Sequence, residues 1–137
     1  MGDFGPQLSS QPPPLPGRAW KSWALALGAA DYVAVLYRFQ TYNERNAVST
    51  LTFVLFSVVM FLSGVVLGWF AATSFARSGT FLILGVFAAH FVVVVVDCEK
   101  DPTDHNLLPF EFIIYFVLGA PAYAGTLISR VARRLGG

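Results

Sequence analysis

Two ionisable residues, Asp31 and His90, lie in the middle of long apolar stretches of this sequence. A charge at such a position is costly in a membrane unless it is paired or hydrated. A direct hydrogen bond between Asp31 and His90 would join two helices at low cost, and neighbouring Ser or Thr side chains could also satisfy either group. Two functional alternatives remain open: Asp31 could relay protons, or His90 could be the axial ligand of a haem or a chlorophyll.

Small residues recur at a four-residue spacing in two of the apolar stretches. Gly64 and Gly68 form a GxxxG pair, and Ala72 continues the same helix face. Gly85 and Ala89 repeat the spacing in the next stretch. Faces of this kind let a neighbouring backbone approach closely. We expect them to hold the second and third helices together, with the alternative that one of them receives a partner subunit.

The elements that must position these residues are transmembrane helices. The chain is 55% hydrophobic and 12% charged, whereas soluble domains carry about 25% charged residues. Four apolar stretches cover residues 20–39, 49–73, 79–96 and 107–128, each close to the roughly 20 residues that cross a bilayer. Their unbroken hydrophobicity favours helices over alternating barrel strands. The sequence therefore predicts an all-α integral membrane domain at residues 20–130 with four transmembrane helices, the last of them kinked at Pro121.

The flanking segments set the predicted orientation. Residues 1–19 are rich in proline, which predicts an irregular or polyproline tail outside the membrane. Residues 131–137 are predicted to form a short basic tail. Six basic residues fall on the side of the termini and three on the other: Arg18, Lys21, Arg77, Arg130, Arg133 and Arg134 against Arg38, Arg45 and Lys100. This asymmetry predicts both termini on the side equivalent to the cytoplasm, matrix or stroma.

Motifs for catalysis and for cofactor binding are missing from the sequence. It contains no GxSxG, no glycine-rich loop before a lysine and no HExxH. Its single cysteine, Cys98, allows no disulfide within the chain. A net charge of +1 without a basic face gives no case for nucleic acid. We therefore expect no enzymatic activity, no metal site and no cofactor, although structural lipids are expected.

Three short segments resemble landmarks of the ciliary transmembrane protein 107 family. They are FLSGV at residues 61–65, the step from Ala89 to His90, and GAPA at residues 119–122. The resemblance covers the second half of the chain. It implies four spans with both termini in the cytoplasm, and a role in organising the ciliary transition zone.

A second interpretation rests on the overall character of the chain. A small helical membrane protein with a proline-rich tail and no catalytic motif is typical of accessory subunits in respiratory, ATP synthase or photosynthetic complexes. This interpretation predicts a supernumerary subunit in an organellar inner membrane, most simply the mitochondrial one, whose partners are lipid and the other membrane subunits. The alternatives are a four-span scaffold of the ciliary membrane, and a haem- or chlorophyll-binding subunit that uses His90.

Overall fold

The fold is that of a computed structural model, which describes residues 19–37, 49–71, 73–100 and 108–136. Regular structure in these ranges is helical throughout, without a strand. The elements in chain order are α1 (Ala19–Tyr32), a π-helical segment (Val33–Tyr37), α2 (Thr50–Phe70), α3 (Phe75–Lys100), α4 (Leu108–Gly119) and α5 (Pro121–Leu135). The predicted all-α class is therefore correct. The predicted proline-rich tail lies outside the described residues except for Ala19, and residues 38–48 and 101–107 also lie outside them.

Three helical segments in the described ranges are long and apolar enough to cross a membrane: Thr50–Phe70, Phe75–Lys100 and the nearly continuous Leu108–Leu135. Helix α3 is longer at both ends than the apolar stretch predicted at residues 79–96. The added residues include polar ones, which a prediction from hydropathy leaves out. Helix α5 likewise continues to Leu135, so residues 131–135 are helical where a tail is predicted. Ala, Leu and Arg are all good helix formers, which accounts for the extension.

Helices α1 and α3 lie side by side and run in the same direction. Near their starts, the rings of Trp20 and Phe81 meet edge to face at a centroid distance of 5.2 Å. Further along both helices, the Tyr32 hydroxyl lies 2.9 Å from Nδ1 of His90. Because the earlier residues of one helix contact the earlier residues of the other, the pair is parallel.

Helix α2 pairs in the same way with the segment formed by α4 and α5. The Ser57 hydroxyl, early in α2, donates to the carbonyl of Leu118 at 3.0 Å. Late in α2, the carbonyl of Trp69 accepts a hydrogen bond of 2.8 Å from Nη1 of Arg133. This second pair is therefore also parallel, and its direction is opposite to that of α1 and α3.

The two parallel pairs place the start of α1 and the end of α5 at the same end of the bundle. Gly119 meets Ile83, whereas Thr126, seven residues later, contacts the earlier Phe75. The last helical segment is therefore antiparallel to α3, and so is α2, which is parallel to that segment. We call the end of the bundle that contains the start of α1 and the end of α5 the near end, marked by Trp20, Phe75 and Arg133. The opposite end, marked by Thr50, Lys100 and Leu108, is the far end.

The last helical segment is interrupted where the sequence predicts a kink. The amide of Ala120 donates to the carbonyl of Val117 at 3.2 Å, and the amide of Tyr123 donates to that of Ala120 at 3.0 Å. Both bonds span three residues instead of the four of an α-helix. Pro121 has no N–H to continue the α-helical pattern, and the break between α4 and α5 lies directly before it.

The bundle is packed inside and apolar outside. Phe56, Met60, Leu82 and Val86 are fully buried at its centre. Large apolar side chains also cover the outside of every helix, and they include Trp23, Leu62, Phe91, Ile113 and Leu135. An outer surface of this composition is suited to lipid, since water would be expected to select polar residues there.

Candidate functional site

The most highly organised polar group in the bundle is a hydrogen-bonded chain of Tyr32, His90 and Glu111. His90 is 1% exposed. Its Nδ1 lies 2.9 Å from the Tyr32 hydroxyl, and its Nε2 lies 2.9 Å from Oε2 of Glu111. An ionised carboxylate can only accept hydrogen bonds, so Nε2 donates to Glu111, and with a neutral imidazole the Tyr32 hydroxyl donates to Nδ1. A neutral imidazole satisfies this pattern at both ring nitrogens.

Three helices supply this chain. Tyr32 is the last residue of α1, His90 lies past the middle of α3, and Glu111 is in the first turn of α4. The Glu111 side chain is 24% exposed, whereas that of His90 is buried. The network therefore runs from the interior toward the far end, and it joins α4 to the packed pair of α1 and α3.

Aromatic rings enclose the imidazole. The Tyr115 ring lies 4.6 Å from the His90 ring and the Phe112 ring 5.2 Å, both as centroid distances in edge-to-face contacts. Phe87 packs on Phe112 at 5.1 Å. Phe112 and Tyr115 are one and four residues after Glu111, so one short stretch of α4 supplies the carboxylate and two rings. Hydrogen bonds in such an apolar enclosure are stronger than in water, and they are costly to leave unmade.

Asp31 does not form the expected hydrogen bond with His90. Both ring nitrogens of His90 are engaged by Tyr32 and Glu111. Asp31 is buried at 7% exposure, and its carboxyl interacts with the hydroxyl of Ser63 on α2. Successive residues on a helix point about 100° apart, so Tyr32 reaches α3 while its neighbour Asp31 faces α2. Asp31 Oδ2 has no hydrogen-bond partner within the described part of the chain.

The geometry at His90 does not fit an axial ligand. Coordination through either nitrogen would break a hydrogen bond to Tyr32 or Glu111, and the packed rings of Phe112 and Tyr115 would have to move. Within the described ranges, no group of three or more His, Cys, Asp or Glu side chains is placed to hold a metal ion. The chemistry that this network can perform is hydrogen bonding between helices.

The GxxxG face of α2 contacts α5. The sequence predicts that this face contacts the third helix, α3, and that contact is not the one formed. A Cβ added at Gly64 would overlap the backbone of Ala122. One added at Gly68 would lie 2.8 Å from the Thr126 Cα, and Gly125 faces the backbone of α2 in the same close manner. Ala72, the predicted extension of this face, lies outside the described residues. Glycines on both helices bring the two backbones nearly into contact.

The glycine of α3 also has a different neighbour from the one expected. Gly85 faces the backbone of Leu25 on α1, and Gly28 of α1 faces the backbone of Leu82. Ala89 is partly buried against the core. Both small-residue faces are therefore used inside this chain, between α2 and α5 and between α1 and α3.

Four residues that form the glycine contacts or the hydrogen-bonded chain were not identified from the sequence: Tyr32, Gly28, Glu111 and Gly125. Gly28 and Gly125 each lie among small residues, which is a signal of close packing. Glu111 carried a clearer signal, because it is an acidic residue within the predicted span at residues 107–128. Tyr32 is next to Asp31, and its hydroxyl offered an alternative partner for His90.

Comparison with models of known protein families, with curated proteins and with solved structures finds no match to this chain.

Proposed function

We propose that this chain is a four-span, non-catalytic accessory subunit that packs against other proteins in a membrane assembly. The fourth span of this proposal is α1 with its π-helical continuation. These elements have 14 and 5 residues, a combined length of about 28 Å at the α-helical rise. That length is close to the hydrocarbon thickness of about 30 Å. A fourth span also agrees with the two described chain ends lying at one end of the bundle.

The observation that carries the assembly role is the exposure of α4. Within α4, which is described in full, Gly119 is the one buried residue. Its outer side carries a dense set of large apolar side chains: Phe110, Ile113, Ile114, Phe116 and Val117. The other helices are paired through glycines that meet a neighbouring backbone, whereas Gly119 of α4 meets only side chains. The outer face of α4 is not covered by the described part of the chain. In the proposal, this face packs against a neighbouring subunit.

An organellar energy-transducing complex, respiratory, ATP synthase or photosynthetic, remains the class of assembly that we propose. In that setting both termini lie on the matrix or stromal side. The support is the small size and the apolar, helical character of the chain.

Photo-crosslinking from matched positions tests the assembly role. A photoreactive residue at Ile113 on α4 is compared with one at Leu62 on α2, whose exposed fractions are 59% and 54%. In native membranes, Ile113 is expected to give protein adducts and Leu62 mainly lipid adducts. Lipid adducts alone from both positions, with migration as a free monomer on native gels, would contradict the proposal.

A scaffold of the ciliary transition zone is the second candidate. Its support is that two landmarks of the family resemblance pack on each other: Gly64 of FLSGV faces the backbone of Ala122 of GAPA. A shared helix contact would explain why both segments are similar. In ciliated cells, the tagged protein should then concentrate at the ciliary base, and a purely mitochondrial signal would eliminate this candidate.

A further inference from the structure

The near end of the bundle is strongly cationic. Five basic side chains of α1, α3 and α5 lie there: Lys21, Arg77, Arg130, Arg133 and Arg134. The carboxylates of the described residues lie deeper in the bundle or toward the far end: Asp31, Asp97, Glu99 and Glu111. The positive charge of the near end is therefore not balanced by any carboxylate in the described part of the chain.

Two of these arginines have a structural role. Nη1 of Arg133 donates to the carbonyl of Trp69 at 2.8 Å, and Nη2 of Arg130 donates to that of Ala71 at 3.2 Å. They satisfy carbonyls at the C-terminal end of α2, which a helix leaves without partners. The other three cations, Lys21, Arg77 and Arg134, are exposed.

Arg134 lies on the side of α5 that faces the start of α3. The Thr126 hydroxyl on that side contacts the carbonyl of Phe75 at 3.2 Å. Tyr123 of the same helix also faces α3, where its hydroxyl lies 3.0 Å from that of Thr80. Arg134 is eleven residues beyond Tyr123, which is close to three full turns, so the two share one helix face. Since Phe75 begins α3, Arg134 extends past that helix toward the membrane surface.

Lys21 approaches the same helix from the other side. Its Nζ lies 5.4 Å from the centroid of the Phe81 ring on α3. Phe81 is four residues after Arg77, so the two share a face of α3. Exposed cations of α1, α3 and α5 therefore lie around the first turns of α3.

We propose that the three exposed cations around the start of α3, Lys21, Arg77 and Arg134, bind the headgroups of anionic phospholipids in the adjacent leaflet. Basic residues at a membrane surface attract anionic lipid, and each contributes about fivefold in affinity. The exposed Leu127 and Val131 on α5 provide apolar contact for the acyl chains beside these headgroups. The inference requires the chain to lie in a membrane, and it does not depend on the accessory-subunit role.

Lipid binding to the purified full chain in a neutral detergent tests the proposal. Phosphatidylglycerol and phosphatidylcholine are titrated in parallel, and retained lipid is counted by native mass spectrometry. Phosphatidylglycerol should bind more tightly, and the variant Lys21→Gln/Arg77→Gln/Arg134→Gln should lose about a hundredfold in its affinity. Lys100→Gln removes an exposed cation at the far end, and it should leave this affinity unchanged.

The alternative outcomes are distinct. Equal affinity for the two lipids, or an unchanged affinity in the triple variant, would overturn the proposal. Displacement of the lipid by millimolar inorganic phosphate would also overturn it, because the site would then be one for free anions. If the triple variant does not fold, Arg134→Gln alone is expected to lose about fivefold, and no loss would reject the inference.

Discussion

The contact between α2 and α5 and the attachment of α4 are two different ways of holding helices together in one bundle. Between α2 and α5, glycines on both helices bring the backbones together: Gly64, Gly68 and Gly125. Helix α4 has one buried residue, Gly119, and its attachment includes the hydrogen bond from His90 to Glu111. The first contact depends on the absence of side chains, whereas the second depends on particular side chains.

This difference predicts different responses to mutation. Lipid tails are as apolar as a leucine side chain, so close packing and hydrogen bonds must drive helix association in a membrane. A contact between backbones cannot yield to a larger side chain, and it should fail as a unit. A hydrogen-bonded contact should weaken locally, and the rest of the bundle should remain folded.

The largest expected effect comes from Gly125→Leu. A Cβ at this position would overlap the Phe61 carbonyl and lie 2.9 Å from the amide nitrogen of Val65. We expect a loss of about 3 kcal/mol of unfolding free energy, measured by denaturation in detergent. Ala124→Leu is the matched control, because Ala124 is exposed on the same helix. Equal stability of the two variants would show that α2 and α5 are not in backbone contact.

A smaller and more local effect is expected from Glu111→Ala. It removes the Glu111 acceptor of the buried His90 N–H, at a cost of about 2 kcal/mol. Hydrogen exchange should increase in residues 108–119 and remain slow in α2 and α3. Glu99→Ala removes an exposed carboxylate at the same end of the bundle, and it should change neither rate. Faster exchange throughout the bundle would mean that α4 cannot loosen without unfolding the other helices.

Double-mutant cycles sharpen the assignment of the polar partners. Replacing His90 by Phe and Glu111 by Leu should reveal a coupling free energy of about 0.6 to 1.7 kcal/mol. The cycle of His90→Phe with Asp31→Leu should give a smaller coupling, because the two side chains face different helices. A larger coupling between Asp31 and His90 would restore the pairing expected from the sequence.

The smallest expected effect is that of Pro121→Ala. Alanine restores an amide that can donate to the Val117 carbonyl, but neighbouring contacts also fix the break. Ser57 donates to the Leu118 carbonyl, and Ala122 packs on Gly64. The free energy of unfolding should therefore change by less than about 1 kcal/mol in detergent denaturation. A gain well above that value would show that the proline strains the segment.

Much of the fold could be predicted from local pattern. The apolar stretches predict helices because a backbone in lipid must satisfy its own hydrogen bonds, and Pro121 predicts the break because it lacks an N–H. Gly64, Gly68 and Gly85 could be identified as packing residues from their spacing. These glycines are buried because a neighbouring backbone packs against them. The burial of His90 and Asp31 follows from the cost of exposing a polar side chain to lipid.

The choice of partners was decided by the tertiary structure. Helical spacing shows that Gly64 and Gly68 share a face, but the helix that meets this face depends on how all the helices are arranged. The same holds for His90, whose partners come from positions 58 residues earlier and 21 residues later in the chain. The sequence by itself determined which residues must be buried, because that depends on the chemistry of each side chain. Only the bundle determined which of them meet, because a contact between helices depends on rotation and register that no single segment contains.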